Sequence, residues 1–505
     1  MSPQKPSKFD QRRRTIGLFG APICAILVML TSIPDLSFTA HKLLAIMVLV
    51  ALWWITEPIP IPVTALLGPT LAVVTGVIPA SKAYAAFSNP LIFLFLGGFI
   101  LAKAMMMHHL DKRFAFWLLS QKWVGSSPKR ILLAIGLATA LCSGWVSNTA
   151  TVAMMFPITL GLLSAIKEMF ALQGVHIDMH NNKYATGLML MTAYAASVGG
   201  VLTPIGTTPN MILLGFLSSM TQTYISFFEW MIWGAVATVC YFIITYIIIM
   251  KMYPLDVDKI EGANEFIQKR RAELGPWTRA QKNTLVAFLI AIALWVIPGV
   301  LNVVYGPTHE IVKLYQALFP EAVVALVGAL ILFFLPIDFK KRQYTMVWKD
   351  AVAGIEWGAL LLLGGGLALG AMMFSTGLSE WFGKVIIGFL GGNPSELMLI
   401  AVFSILTLVL SELASHTAAV NMIGPLGIMA AVSAGVSPVP VAVAIALSAS
   451  LGFMLPVSTP PNTIVYASGY IPITKMIKTG LYIDIIGIAV ITIPIALYLV
   501  NWVVK

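Results

Sequence analysis

Ser147-Asn148-Thr149 and, further along, Gly206-Thr207-Thr208-Pro209-Asn210 stand in the first half of the chain. Ser415-His416-Thr417 and Ser458-Thr459-Pro460-Pro461-Asn462 stand in the second. Small hydroxyl and amide residues in apolar surroundings are costly to bury unless they bind something. A membrane chain that carries such a cluster twice is expected to build one central site from two halves. The halves differ at a position that bears on mechanism, Asn148 against His416.

Outward from these signatures the chain is apolar. Of its 505 residues 59% are hydrophobic and 10% charged, too few charges to cover the surface of a soluble protein of that length. The class is therefore an all-α polytopic membrane protein. The apolar stretch after Arg12, Arg13 and Arg14 imitates a secretory signal, but no small-residue cleavage site follows and many more apolar segments do, so it reads as a first spanning helix. Cys24, Cys142 and Cys240 lie far apart in apolar segments and suggest neither disulfides nor a metal cluster. The formal charge of +10 reflects membrane topology and implies no nucleic-acid partner.

Apolar runs of spanning length fall near 15–34, 41–56, 61–78, 88–107, 184–205, 229–250, 282–299, 318–336, 352–374, 439–456 and 477–502, about eleven spans. Two further stretches, about 130–168 and 395–433, are too long for one span and polar at their centres. They read as re-entrant hairpins. Basic residues gather in the N-terminal tail, in 103–130, in 251–282 and in 340–349, while 218–229 has none and 299–317 only Lys313. With the hairpins counted as non-crossing, every basic loop falls on one side, which predicts a cytoplasmic N-terminus and an outer C-terminus. The two hairpins then open from opposite faces, as an inverted repeat requires.

The repeat also shows in spacing. Gly97 precedes Ser147 and Gly365 precedes Ser415 by 50 residues, and Pro157 and Pro425 follow their serines by 10. The expected organisation is N-terminal scaffold helices over 1–84 and a first repeat over 85–250, with its hairpin at about 130–168 and a broken helix at about 184–220. A cytoplasmic connector and scaffold helices follow over 251–349. The second repeat runs over 350–505, with its hairpin at about 395–433 and a broken helix at about 439–470.

At a hairpin tip, a helix beginning there turns free N–H groups and its positive dipole end toward the tip, which favours an anion; a helix ending there offers carbonyls to a cation. Ordinary capping inside a buried loop accounts for Ser147-Asn148-Thr149 equally well. The second signature type is more telling. Pro204 and Pro209 each remove a backbone donor, Gly206 permits a sharp bend, and the break recurs around Pro456 and Pro460. A kink needs one proline; Thr and Asn at both shoulders of a repeated break point to binding.

These paired signatures resemble the divalent-anion/sodium symporter family. Supporting matches are Trp53-Trp54-Ile55-Thr56-Glu57-Pro58-Ile59-Pro60-Ile61-Pro62, Phe87-Ser88-Asn89-Pro90 and Glu356-Trp357-Gly358 leading into Gly364-Gly365-Gly366. The resemblance implies an elevator-type homodimer that carries dicarboxylates, citrate or sulfate. By that likeness substrate carboxylates meet Asn148 and Thr149 from one tip and His416 and Thr417 from the other, with Thr207, Thr208, Pro209, Thr459 and Pro460 closing the site. A first sodium ion would sit among Ser143, Ser147, Asn148 and Gly206, and a second, doubtful one near His416 and Ser458. His416 departs from the family pattern, where asparagine is usual. An imidazolium there would repel sodium and could itself pair with a carboxylate, which favours exchange of one dicarboxylate for another. A neutral histidine donating one hydrogen bond would leave sodium coupling intact.

The expected function is secondary active transport of C4/C5 dicarboxylates (succinate, malate, fumarate, 2-oxoglutarate) across the cytoplasmic membrane, with sodium-coupled symport as the alternative. The partners are small dicarboxylate anions and the lipid bilayer, with no cofactor beyond sodium. An intramembrane enzyme would need a nucleophile and a base, and adjacent Ser415 and His416 point apart. No nucleotide-binding loop suggests a pump. Glu57 reads as structural at an interfacial bend. Glu412 is expected to pair with His416 or a backbone donor. Asp484 is expected to be either an ion relay or a solvated carboxylate near the cytoplasmic end. His108, His109, His176 and His180 lack metal spacing, and Met105-Met106-Met107 reads as packing.

Overall fold

The computed structural model describes residues 8–172, 178–180, 182–254, 259–260, 262–306 and 308–500. His176 lies outside the described residues. Ten of the described helices are long and apolar enough to cross a bilayer, and a pair bent by 52°, Glu310–Leu318 with Glu321–Phe334, makes an eleventh. Three of these ten are hairpin arms: Asn148–Leu172, Glu396–Leu413 and His416–Ser433. Length alone therefore cannot separate an arm from a span. What separates them is that the arms break at Ser147 and Ser415, with the two arms of each hairpin packed against each other.

The two halves run through the same order of elements. Pro90–Met107, the short amphipathic Leu110–Leu119, the hairpin Pro128–Ser143 and Asn148–Leu172, the broken helix Lys183–Gly200 and Thr208–Thr221, and Phe227–Met252 make the first. Trp357–Thr376, Leu378–Phe389, the hairpin Glu396–Leu413 and His416–Ser433, the broken helix Pro438–Ala449 and Pro460–Tyr466, and Ile473–Val500 make the second. The last span is wound with π-turns from Gly487 onward. The wider turn there surrounds Thr492, whose hydroxyl meets that of Tyr241.

The glycine pairs that mark the repeat have a packing cause. A Cβ on Gly97 would lie 2.5 Å from the backbone of Ala325, and one on Gly365 would strike the backbone of Ala65. Each repeat's leading helix thus presses glycine-first against a helix outside the repeats, Glu321–Phe334 in one case and Ile61–Val74 in the other. The connector contains the helix Ala263–Glu273, held by Arg113 donating to the carbonyls of Leu274 and Gly275, each at 2.9 Å. The basic loop at 336–344 adds a two-stranded antiparallel ribbon, Pro336–Asp338 with Gln343–Tyr344, too short for alternation to reveal it in sequence.

Candidate functional site

The four signatures meet in one cavity of about 180 Å³. Its wall is made by Ser147, Asn148 and Thr149 from the first tip and Ile205, Gly206, Thr207, Thr208 and Pro209 from the first break. The second half contributes Ser415, His416 and Thr417 from its tip and Ser458, Thr459, Pro460 and Pro461 from its break. All nine residues expected to touch substrate lie on this wall. Ser143 stands behind it, fully buried.

Helix polarity follows from these positions. Helices begin at Asn148, Thr208 and His416, each with its first turn at the cavity, and a short fourth begins at Pro460. The Ser415 hydroxyl accepts from the Ala418 N–H at 3.2 Å, and the Thr459 hydroxyl accepts from the Asn462 N–H at 3.2 Å. Thr207 caps nothing with its side chain, so its hydroxyl is left to the cavity. Among the described residues no lysine or arginine lines the space. A helix end is worth up to about 2 kcal/mol to an anion in a partly buried geometry, so several together rival one salt bridge. The attraction is spread over many weak donors.

The two halves hold their breaks in the same way. Asn210 donates through Nδ2 to the carbonyls of Gly200 (3.1 Å) and Thr203 (2.9 Å), ten and seven residues upstream. Asn462 donates to Gly452 and Leu455, both at 3.1 Å, at the same two separations. This explains the terminal asparagine of each signature: it is buried and ties the break together, away from substrate.

The corresponding glycines expose the difference between halves. A Cβ on Gly200 would strike Oδ1 of Asn148, which also accepts from the Ser143 hydroxyl at 2.7 Å. One on Gly206 would lie 2.5 Å from the Gly200 carbonyl oxygen and 3.0 Å from that of Gly144. Asn148 Oδ1, Ser143 Oγ and the carbonyls of Gly144 and Gly200 are neutral oxygens gathered in one place, a donor set that suits sodium. In the second half the neighbour of Gly452 is His416: a Cβ there would lie 2.7 Å from Nε2 and 3.1 Å from Oγ of Ser411. Nε2 is buried without a hydrogen-bond partner, and the Ser411 hydroxyl is turned to the carbonyls of Ala449 and Leu451. Ser458 Oγ donates to the Gly452 and Leu455 carbonyls, both at 2.7 Å. A ring nitrogen stands here in place of an amide oxygen.

Phe95, Phe99 and Glu356 line the space from outside both tips and both breaks, where sequence reasoning had placed no site residue. The Glu356 carboxylate faces the Ser147 hydroxyl. Its position directly before Trp357-Gly358 was the available signal, but a carboxylate is not the residue expected beside an anion.

Other singled-out residues have structural partners. Glu57 ends its helix at φ 49° with its carboxylate 3.7 Å from Arg13. The ring of His108 bonds the Thr345 carbonyl at 2.7 Å, and His180 stacks on Tyr470. Glu412 takes its backbone alternative, accepting from Met454 N–H at 2.8 Å and Leu455 N–H at 3.1 Å. Asp484 is fully buried, so the reading of it as a solvated carboxylate near the cytoplasmic end is corrected.

Comparison with known proteins fits this architecture. The family model described as sodium:sulfate symporter transmembrane region matches residues 15–504. The sodium-dependent dicarboxylate transporter SdcS of Staphylococcus saprophyticus is 34% identical over 496 residues, spanning 98% of this chain and 93% of that protein. SdcS of Staphylococcus aureus strain MRSA252 is 32% identical over 501 residues, with 99% and 93% covered. The crystal structure of the Alcanivorax borkumensis YdaH transporter aligns with a TM-score of 0.56 at 15% identity over 97% of both chains, a likeness of fold. With this match running through both hairpins and both broken helices, the chain belongs to the sodium:sulfate symporter family, the divalent-anion/sodium symporters.

Proposed function

We propose that the protein is a secondary active carrier of C4 and C5 dicarboxylates in the cell membrane, working by alternating access of the elevator type and running as an exchanger. The observation that carries exchange is the placement of His416 Nε2 against Gly452, where the first half sets Asn148 Oδ1 against Gly200. An imidazolium there supplies one positive charge to the dianion and leaves no place for a second sodium ion. The substrate residues are Asn148, Thr149, Thr207, Thr208, Pro209, His416, Thr417, Thr459 and Pro460, all on the cavity wall. A first sodium ion would be held by Ser143, Ser147, Asn148 and Gly206. Bound beside the anion, it offsets charge that is costly to carry through a low-dielectric barrier. The carrier is a homodimer with its N-terminus in the cytoplasm.

Sodium-coupled symport of a dicarboxylate, citrate or sulfate is the second reading. It is favoured by the oxygen donor set of the first half and by relatives named as sodium-dependent dicarboxylate transporters. Uptake of labelled succinate into proteoliposomes, with and without sodium and with and without internal dicarboxylate, decides between them. Exchange predicts strong stimulation by internal dicarboxylate. Uptake that needs an inward sodium gradient and ignores internal dicarboxylate establishes symport.

A further inference from the structure

Behind the cavity, on the far side of Gly452, two carboxyl groups are buried together. Glu412 is 3% exposed and Asp484 is 0%. Oδ1 of Asp484 accepts from the Gly452 N–H at 3.2 Å, and Glu412 uses both oxygens on the Met454 and Leu455 N–H groups. The Phe453 N–H lies between the two carboxyls, which face each other. Oδ2 of Asp484 has no N–H or hydroxyl donor. Among the described residues neither acid has a Lys or Arg ion-pair partner. Two bare carboxylates cannot share such a place, because each would be desolvated and repelled by the other.

We propose that Glu412 and Asp484 form a one-proton site within the second repeat. Asp484 Oδ2 carries the proton and donates it to Glu412, whose carboxylate keeps its backbone bonds. The site binds a hydrogen ion, and Gly452 alone separates it from His416, a titratable residue that lines the cavity. Besides His416, the groups facing the pair are phenols: Tyr194, whose hydroxyl donates to the Phe453 carbonyl at 2.7 Å, with Tyr241 and Tyr253 farther out. None of these phenols supplies a positive charge near neutral pH. Losing the shared proton sets two negative charges against each other across the 452–455 segment. That segment carries the carbonyls Asn462 and Ser458 use to hold the break, so the second half of the substrate site loosens with it.

The site acts through the carrier cycle and so rests on the dicarboxylate-carrier reading. The test is succinate counterflow in proteoliposomes from neutral to strongly alkaline pH, where succinate stays fully dianionic, beside melting curves of the purified protein over the same range. Wild type should lose counterflow by roughly tenfold per pH unit beyond the midpoint, as a single lost proton requires, with its melting temperature falling in parallel. Asp484→Asn copies the shape and donor of the protonated acid. It should fold, retain counterflow within a few-fold, and show flat alkaline limbs in both measurements. Glu412→Gln loses an acceptor for Met454 or Leu455 and should be the more damaged variant. An unfolded or inactive Asp484→Asn, an alkaline limb it shares with wild type, or the reverse order of damage overturns the assignment. Absence of wild-type counterflow at every pH would instead sink the carrier reading, while the melting curves still judge the pair.

Discussion

At Gly200 and Gly452 two side chains of different chemistry occupy equivalent ground. Asn148 brings an oxygen that also accepts from Ser143, and His416 brings a nitrogen with no partner. Replacing the ring with an amide should restore an oxygen donor, so His416→Asn is expected to raise the sodium stimulation of succinate uptake several-fold while weakening exchange without sodium. Unchanged sodium dependence would remove His416 from the coupling argument. Asn148→Ala and Thr417→Ala each delete a group expected on a charged carboxylate, a bond worth about 1.5–3 kcal/mol. Each should lower succinate uptake at least about tenfold while the protein keeps the elution volume and melting temperature of the wild type. Normal transport in both would rule out the proposed site. Glu356 shows the limit of residue-level reading: its place in the wall came from packing against the Ser147 tip, which no local pattern announces.

Elements explain why the signatures were legible. Proline, glycine and capping hydroxyls act on the backbone within a turn or two, so both broken helices and both hairpin tips could be read from residue type. The structure breaks the chain at 201–207 and 450–459, overlapping the stretches marked by Thr203–Asn210 and Pro456–Asn462 but starting two and six residues before them. The glycine pairs were read from spacing as repeat markers, and their packing cause lies in other helices. Gly365→Val would drive a side chain into the carbonyl of Ala65. It should cost about 2–3 kcal/mol, seen as a lower melting temperature in detergent, whereas Gly388→Ala, with open space around its Cβ, should cost less than about 1 kcal/mol. Equal losses would show that close helix approach is not what the glycine provides.

At the scale of the molecule, the proposed orientation rests on basic loops. In a chain cleared of Cys24, Cys142 and Cys240, a cysteine at Lys269 should react with an impermeant thiol reagent only from the cytoplasm, and one at Lys313 only from outside. Both residues are solvent-exposed, so burial would not mask the result, and the opposite pattern would invert the topology. Composition, hydropathy and the placement of glycine and proline by themselves determined the membrane class, the repeated signatures and the approximate positions of the breaks, because these depend on transfer from water and on local backbone limits, while the residues expected to touch substrate came from the family resemblance. Convergence was decided by tertiary structure alone. Which glycine meets Asn148 or His416, which asparagine is a tie rather than a ligand, and that Asp484 lies buried opposite Glu412 depend on contacts between segments distant in sequence, whose free energy exists only once the helices have packed.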